Sequence, residues 1–263
     1  MSEIFIYCLL FGAFSGLCSG LLGVGGGIVI VPFLAWLLPL HGMPAEISMQ
    51  TAIATSLATI IVTSIAAIYA QNKRGAIDWK VVKFVTPGIA IGAFFGADLA
   101  HYLSTQLLSM LFGSFLLLNG LRIALKLTPN PERQLPSALP LSLSGSVLGL
   151  LSTLIGIGGG TFTVPYMLLH NVPMKRAIAF GSTFGLPIAI FGAISFVILG
   201  MQNTIAMEGN IGYINIPAFL GISIASVFAT MLGVYLAHTI PTAAMKKVFA
   251  VIMLFVGLKM LIG

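Results

Sequence analysis

Six apolar runs of about 20 residues or longer dominate the chain: 46–70, 81–101, 105–125, 177–200, 214–238 and 242–262. Each is long enough to cross a bilayer as a helix. Further apolar runs at 4–22, 28–38, 138–155 and 161–170 surround two glycine clusters. The runs 28–38 and 161–170 are too short to cross, and each follows its cluster directly. Charged residues make up only 7% of the chain against an ordinary level of about 25%. Such a surface cannot face water, so lipid is the solvent and the fold class is an all-α integral membrane protein.

The net charge of +6 suits nucleic acid on a soluble protein. Here the Lys and Arg residues sit in short loops between apolar runs, where they set topology. No nucleic-acid partner is expected. Cys8 and Cys18 share one apolar run and match no ligand spacing, so they read as small buried residues. The N-terminus has Glu3 where a signal peptide needs positive charge, and it reads as the first mature span.

The sequence is internally duplicated. Gly23-Val-Gly-Gly-Gly27 is followed by Pro32, and Gly156-Ile-Gly-Gly-Gly160 by Pro165, at a constant offset of 133 residues. Gly12, Gly16 and Ser19 match Gly145, Gly149 and Ser152 at that offset. His41-Gly-Met-Pro44 corresponds to His170-Asn-Val-Pro173. Gly96-Ala-Asp-Leu-Ala-His101 corresponds to Gly233-Val-Tyr-Leu-Ala-His238 at an offset of 137. The expected organisation is a first membrane repeat at 1–126, a Pro-bearing cytoplasmic linker at 127–137 and a second membrane repeat at 138–263. Each repeat is a glycine-broken helical hairpin plus three transmembrane helices.

Charge chooses between parallel and inverted halves. With Lys73, Arg74, Lys80 and Lys83 placed in the cytoplasm, inverted halves put eleven Lys and Arg inside and only Lys259 outside. Parallel halves give eight against four. The inverted arrangement is expected, with both termini outside. The run 4–22 is long for one arm of a hairpin, so it must tilt, bend or follow the interface.

Three adjacent glycines in an apolar segment break a helix. In lipid the exposed backbone must lie inside the protein or line a cavity. Helix starts at Ile28 and Thr161 would present unpaired N–H groups, a setting for an anion. The competing reading is close helix packing, which small residues also permit. That packing reading is preferred for the scattered Gly92, Gly96, Gly113 and Gly192. Gly23-Val-Gly25 lacks the third glycine of a dinucleotide fingerprint. Gln50, Thr51, Thr55, Ser56 and Thr59 open one span, and Gly181, Ser182 and Thr183 open its counterpart. Their hydroxyls serve an oxyanion or their own helix backbones. Asn119 reads as an interhelical hydrogen bond, and Asp98, His101 and His238 as interface positions. No catalytic set, HExxH or GxSxG is present, so no enzyme, metal or cofactor is expected.

These motifs resemble the TauE/SafE family of sulfite-exporter-like membrane proteins. The resemblance rests on Gly20-Leu-Leu-Gly-Val-Gly-Gly-Gly-Ile-Val-Ile-Val-Pro32, Ile155-Gly-Ile-Gly-Gly-Gly-Thr-Phe-Thr-Val-Pro165, Ala52-Ile-Ala-Thr-Ser56 and Lys73-Arg-Gly-Ala-Ile-Asp-Trp79. It implies transport of a small sulfur-containing anion such as sulfite or a sulfonate across a bacterial-type inner membrane, with an anion channel as the alternative. The second copy carries Phe180-Gly-Ser-Thr183 where the first has Ala54-Thr-Ser56, so the half-sites differ. The expected substrate-binding residues are Ser19, Gly23, Gly25, Gly26, Gly27, Thr55, Ser56, Ser152, Gly156, Gly158, Gly159, Gly160, Thr161, Ser182 and Thr183. The expected partners are a small anion, the lipid bilayer and protons as coupling ion. The sequence sets no oligomeric state.

Overall fold

A computed structural model describes residues 2–22, 26–125, 134–202, 209–236 and 242–262. In chain order the helices are α1 (Ser2–Leu22), α2 (Gly27–Leu40), α3 (Ala45–Asn72), α4 (Trp79–Tyr102), α5 (Thr105–Ala124), α6 (Ala138–Leu154), α7 (Gly160–Leu169), α8 (Met174–Met201), α9 (Ile216–Leu236) and α10 (Thr242–Ile262). A two-stranded antiparallel hairpin, β1 (Asn210–Ile211) and β2 (Ile214–Asn215), lies between α8 and α9. By length and composition, α1, α3, α4, α5, α8 and α9 can each cross a bilayer. The chain is a multi-pass, all-α membrane protein. At 1.5 Å per residue, α2 and α7 reach only about 21 and 15 Å.

The first helix is not broken. It is one continuous helix of 21 residues, and it runs lengthwise beside α9. Gly221 of α9 lies against Phe5 and Cys8, Gly12 against Ile222, Gly16 against Ser226, and Gly233 against Leu17 and Gly20. The chain then folds back. Glu3 is 3.9 Å from His41 at the end of α2, and the Phe11 and Phe33 rings stack at 3.8 Å. At positions 133 residues later, α7 folds back on α6 through a hydrogen bond instead: Tyr166 Oη donates to Ser144 Oγ at 2.8 Å. Both short helices end alike. His41 Nδ1 lies 3.0 Å from Leu37 O and His170 Nδ1 2.8 Å from Tyr166 O. The next residues, Gly42 (φ 85) and Asn171 (φ 61), are left-handed, which ends the helix. Pro44 and Pro173 then precede α3 and α8.

Close packing of small residues holds the bundle together. Gly88, Gly92 and Gly96 of α4 lie against Ser142, Ser146 and Leu150 of α6. A Cβ at Gly96 would sit 2.5 Å from Leu150 O. Residue numbers rise together along the α1–α9 and α4–α6 contacts, so these pairs are parallel. They fall against one another elsewhere. Gly113 meets Gly257 while Gly120 meets Ala250 and Leu254, so α5 and α10 are antiparallel. Gly192 meets Leu57 while Gly185 meets Ser64, so α3 and α8 are antiparallel too. Gly92, Gly96, Gly113 and Gly192 therefore all sit at helix contacts. Helix α3 is the core, buried almost without interruption from Ile47 to Ser64. The outer faces carry exposed Phe94, Phe95, Phe228 and Leu232, which suit acyl chains.

Two polar details depart from the sequence reading. Asn119 Nδ2 donates to Phe115 O, 2.9 Å away on its own helix, rather than across helices. The β1–β2 hairpin was not expected, and it is tucked into the bundle. Tyr213 is 3% exposed and its Oη lies 3.0 Å from His101 Nδ1. Asn215 N donates to Thr55 Oγ1 at 3.0 Å, and Asn215 Oδ1 accepts from Ala218 N at 3.0 Å, capping α9. His238 and the cations Lys126 and Arg133 lie outside the described residues, as does Glu208.

Candidate functional site

Each glycine cluster ends one helix and starts another, but they do so differently. Gly26 is left-handed, with φ 75, and α2 begins at Gly27. Its counterpart Gly159 is right-handed, with φ −57, and α7 begins at Gly160. In the second cluster the left-handed residue is Gly156, with φ 68. Neither helix start has a side-chain cap. Both leave the first-turn N–H groups without the usual Ser, Thr, Asn or Asp partner.

The clusters meet. A Cβ at Gly27 would lie 2.6 Å from Gly156 O and 3.0 Å from Ile157 Cα, so only glycine permits this approach. Ser56 Oγ donates to Gly156 O at 2.9 Å and ties α3 to the contact. On the second side α7 presses into α8. A Cβ at Gly159 would lie 2.7 Å from Gly181 O and 2.8 Å from Gly185 N. Gly181-x-x-x-Gly185 thus provides a groove one helical turn long for the start of α7.

Beside this groove is a buried cavity of about 10 Å³, room for about one water. Ser19 from α1, Thr63, Ser64 and Ala67 from α3, Gly158 and Gly159 before α7, and Gly181, Ser182 and Gly185 from α8 line it. Ser19, Ser64 and Ser182 are at most 7% exposed. The Ser182 hydroxyl lies 3.3 Å from Ile178 O, and that of Thr63 3.3 Å from Ile60 O. These are long bonds for O–H donors, and such hydroxyls can turn toward a better acceptor. Among the described residues no Lys or Arg lines the cavity, and no group of His, Cys, Asp and Glu is placed to hold a metal.

Of the residues expected from sequence, Ser19, Gly158, Gly159 and Ser182 line the cavity. Gly26, Gly27, Ser56, Gly156 and Gly160 form the two helix starts and their contact. Thr55 is directed elsewhere, toward the backbone of Asn215. Thr183 donates to Ala179 O at 2.8 Å within α8. The hydroxyls of Ser152 and Thr161 are buried without a hydrogen-bond partner among the described residues. Gly23 and Gly25 lie outside the described residues. Thr63, Ser64 and Gly185 were missed. Their signals, a Thr-Ser pair within an apolar span and a four-residue glycine spacing, were present in the sequence.

The family described as Sulfite exporter TauE/SafE matches residues 8–260. A probable membrane transporter protein of Haemophilus influenzae is 34% identical, over 99% of both chains. One from Methanocaldococcus jannaschii is 30% identical, over 97% of this chain and 94% of the relative. YunE of Bacillus subtilis, also a probable membrane transporter protein, is 30% identical over 76% of this chain and 80% of its own. No solved structure matches the chain. The doubled glycine break thus belongs to a family that extends over almost the whole of this sequence: the chain is a member of the TauE/SafE family of membrane transporters.

Proposed function

We propose that this transporter is a secondary transporter for a small sulfur-containing oxyanion, sulfite or a sulfonate, driven by the proton motive force. The observation that carries the reading is the meeting of two uncapped helix starts beside a hydroxyl-lined cavity without Lys or Arg. Helix starts and hydroxyls donate to an anion without fixing it as strongly as a cation would. Two starts contribute about 0.3–2 kcal/mol each, and each hydrogen bond to a charged ligand about 1.5–3 kcal/mol. Weak net holding, roughly micromolar to millimolar, suits release in every cycle.

We read the halves, 1–126 and 138–263, as inverted repeats joined by a cytoplasmic linker at 127–137. Antiparallel packing of α3 on α8 and of α5 on α10 supports this reading. Equivalent helices related by an axis along the membrane normal would run parallel. Contacts also exchange under the sequence offsets. Gly12–Ile222 corresponds to Gly145–Val85, and Gly113–Gly257 to Gly120–Ala250. The eleven-to-one charge count favours the same arrangement. A cysteine placed at Gln134 of the linker should then resist an impermeant thiol reagent in intact cells, while one beside Glu208 reacts. The opposite pattern would sink the inverted arrangement.

A cavity for one water does not admit an oxyanion, so the bundle must open for the anion to enter. An anion channel using the same path is the alternative. In proteoliposomes, unlabelled sulfite inside should accelerate uptake of radiolabelled sulfite, and uptake should saturate. Unsaturated flux with single-channel currents would instead establish the channel.

A further inference from the structure

Between the α3–α4 turn and the α7–α8 turn lies an open cleft of about 300 Å³, far larger than the buried cavity. Its lining includes Asp78, Gln134, His170, Asn171, Arg176 and Phe180. Phe180 is 2% exposed and stacks on Phe184 at 5.6 Å. The next two residues of α8, Gly181 and Ser182, line the buried cavity. Helix α8 therefore borders the open cleft at Phe180 and the hydroxyl-lined interior at the next two residues.

The cleft contains a cation that the fold does not otherwise use. Arg176 is exposed in the first turn of α8, the end of the helix that disfavours positive charge. Among the described residues it has no ion-pair partner. Asp78 lines the same cleft, but its side chain accepts from Lys80 N at 3.0 Å and caps α4. The Nδ1 of His170 faces a carbonyl, an acceptor only, so it carries the hydrogen. Arg176 is the permanent donor of the cleft. Its planar fork matches two oxygens of a sulfur oxyanion.

We propose that this cleft is a second anion site, where a small oxyanion docks on Arg176, with the amides of Gln134 and Asn171 as further donors, before passing Phe180. The passage rests on the transport reading above; the docking does not, and it is testable without transport. In the purified full chain carrying Leu135→Cys, an exposed position of the cleft lining, a negatively charged methanethiosulfonate reagent is compared with a positively charged one. The chain without the added cysteine supplies the background from Cys8 and Cys18. The anionic reagent should react faster. Arg176→Gln should lower the ratio of rates by about fivefold, the effect of one nearby unit charge on reagents that differ by two charges. Arg176→Lys should keep most of the preference. Inorganic sulfate should slow the anionic reagent more than chloride does at equal ionic strength, and this protection should vanish in Arg176→Gln. A ratio unchanged by Arg176→Gln, or sulfate protection that survives it, overturns the proposal and leaves Arg176 a topology determinant. Failure of sulfite exchange in proteoliposomes, with the reagent preference intact, would remove the transporter reading and retain the docking site.

Discussion

The start of α2 and the start of α7 carry the same motif, yet they are packed differently. At α2, Gly27 is pressed on Gly156 and Ile157, and the nearest hydroxyl, Ser56, is spent on the Gly156 carbonyl. At α7, Gly159 sits in a glycine groove beside a cavity with three buried serines. Side chains follow the same division. Thr161 and Thr163 of α7 stand where α2 has Ile28 and Ile30. Two copies of one backbone break thus have different surroundings, one packed on backbone and the other beside a hydroxyl-lined cavity.

Breaking the α7 side should have the largest effect. Gly159→Ala places a methyl against the Gly181 carbonyl and the Gly185 amide, both backbone atoms that cannot swing away. Overpacking of this kind costs about 1–3 kcal/mol, and here it also spreads the groove. Sulfite exchange should fall to background while the protein still inserts and elutes as a single species. Near-normal exchange would remove the α7 start from the site.

A second contrast is sharper but smaller. Ser182→Ala and Ser64→Ala should each weaken sulfite binding by roughly tenfold, about 1.4 kcal/mol, as measured by calorimetry on purified protein. Ser56→Ala should leave affinity nearly unchanged and instead lower thermal stability, by the roughly 1 kcal/mol of one lost hydrogen bond. If Ser56→Ala alone weakened binding, the two starts would have to exchange roles. Gly26→Ala probes the α2 start directly. A methyl there meets Ile30 Cδ1 at 3.3 Å and Ser15 O at 3.4 Å, and the left-handed backbone costs an alanine about 1–2 kcal/mol. It should reduce stability more than affinity, as read by thermal unfolding beside a binding isotherm. The smallest effect is expected from Lys73→Gln. Lys73 lies over the Tyr69 ring at 4.4 Å in the exposed α3–α4 turn, remote from both starts, and sulfite affinity should not move.

The helices were legible because lipid imposes a simple rule: long apolar runs must satisfy their backbones internally. The runs 81–101 and 105–125 became α4 and α5 within a few residues. Duplication was legible because glycine is intolerant of replacement wherever backbones touch, as at Gly12 and Gly145. The β1–β2 hairpin was not legible. Its burial depends on Thr55, Phe196 and His101, contributed by three different helices, and no local periodicity records such partners. The site was legible as backbone rather than as side chains. A hydroxyl in an apolar helix has the same sequence signature whether it faces a cavity, as Ser64 does, or a neighbouring carbonyl, as Ser56 does.

The exchange of partners between halves has a consequence for biosynthesis. Helix α1 leaves the ribosome long before α9, yet its glycine face fits α9. Until then Gly12 and Gly16 expose backbone to lipid or to a chaperoning surface. This pair cannot form until α9 is made, and a nascent chain halted before Ile216 should remain open to membrane proteases along α1.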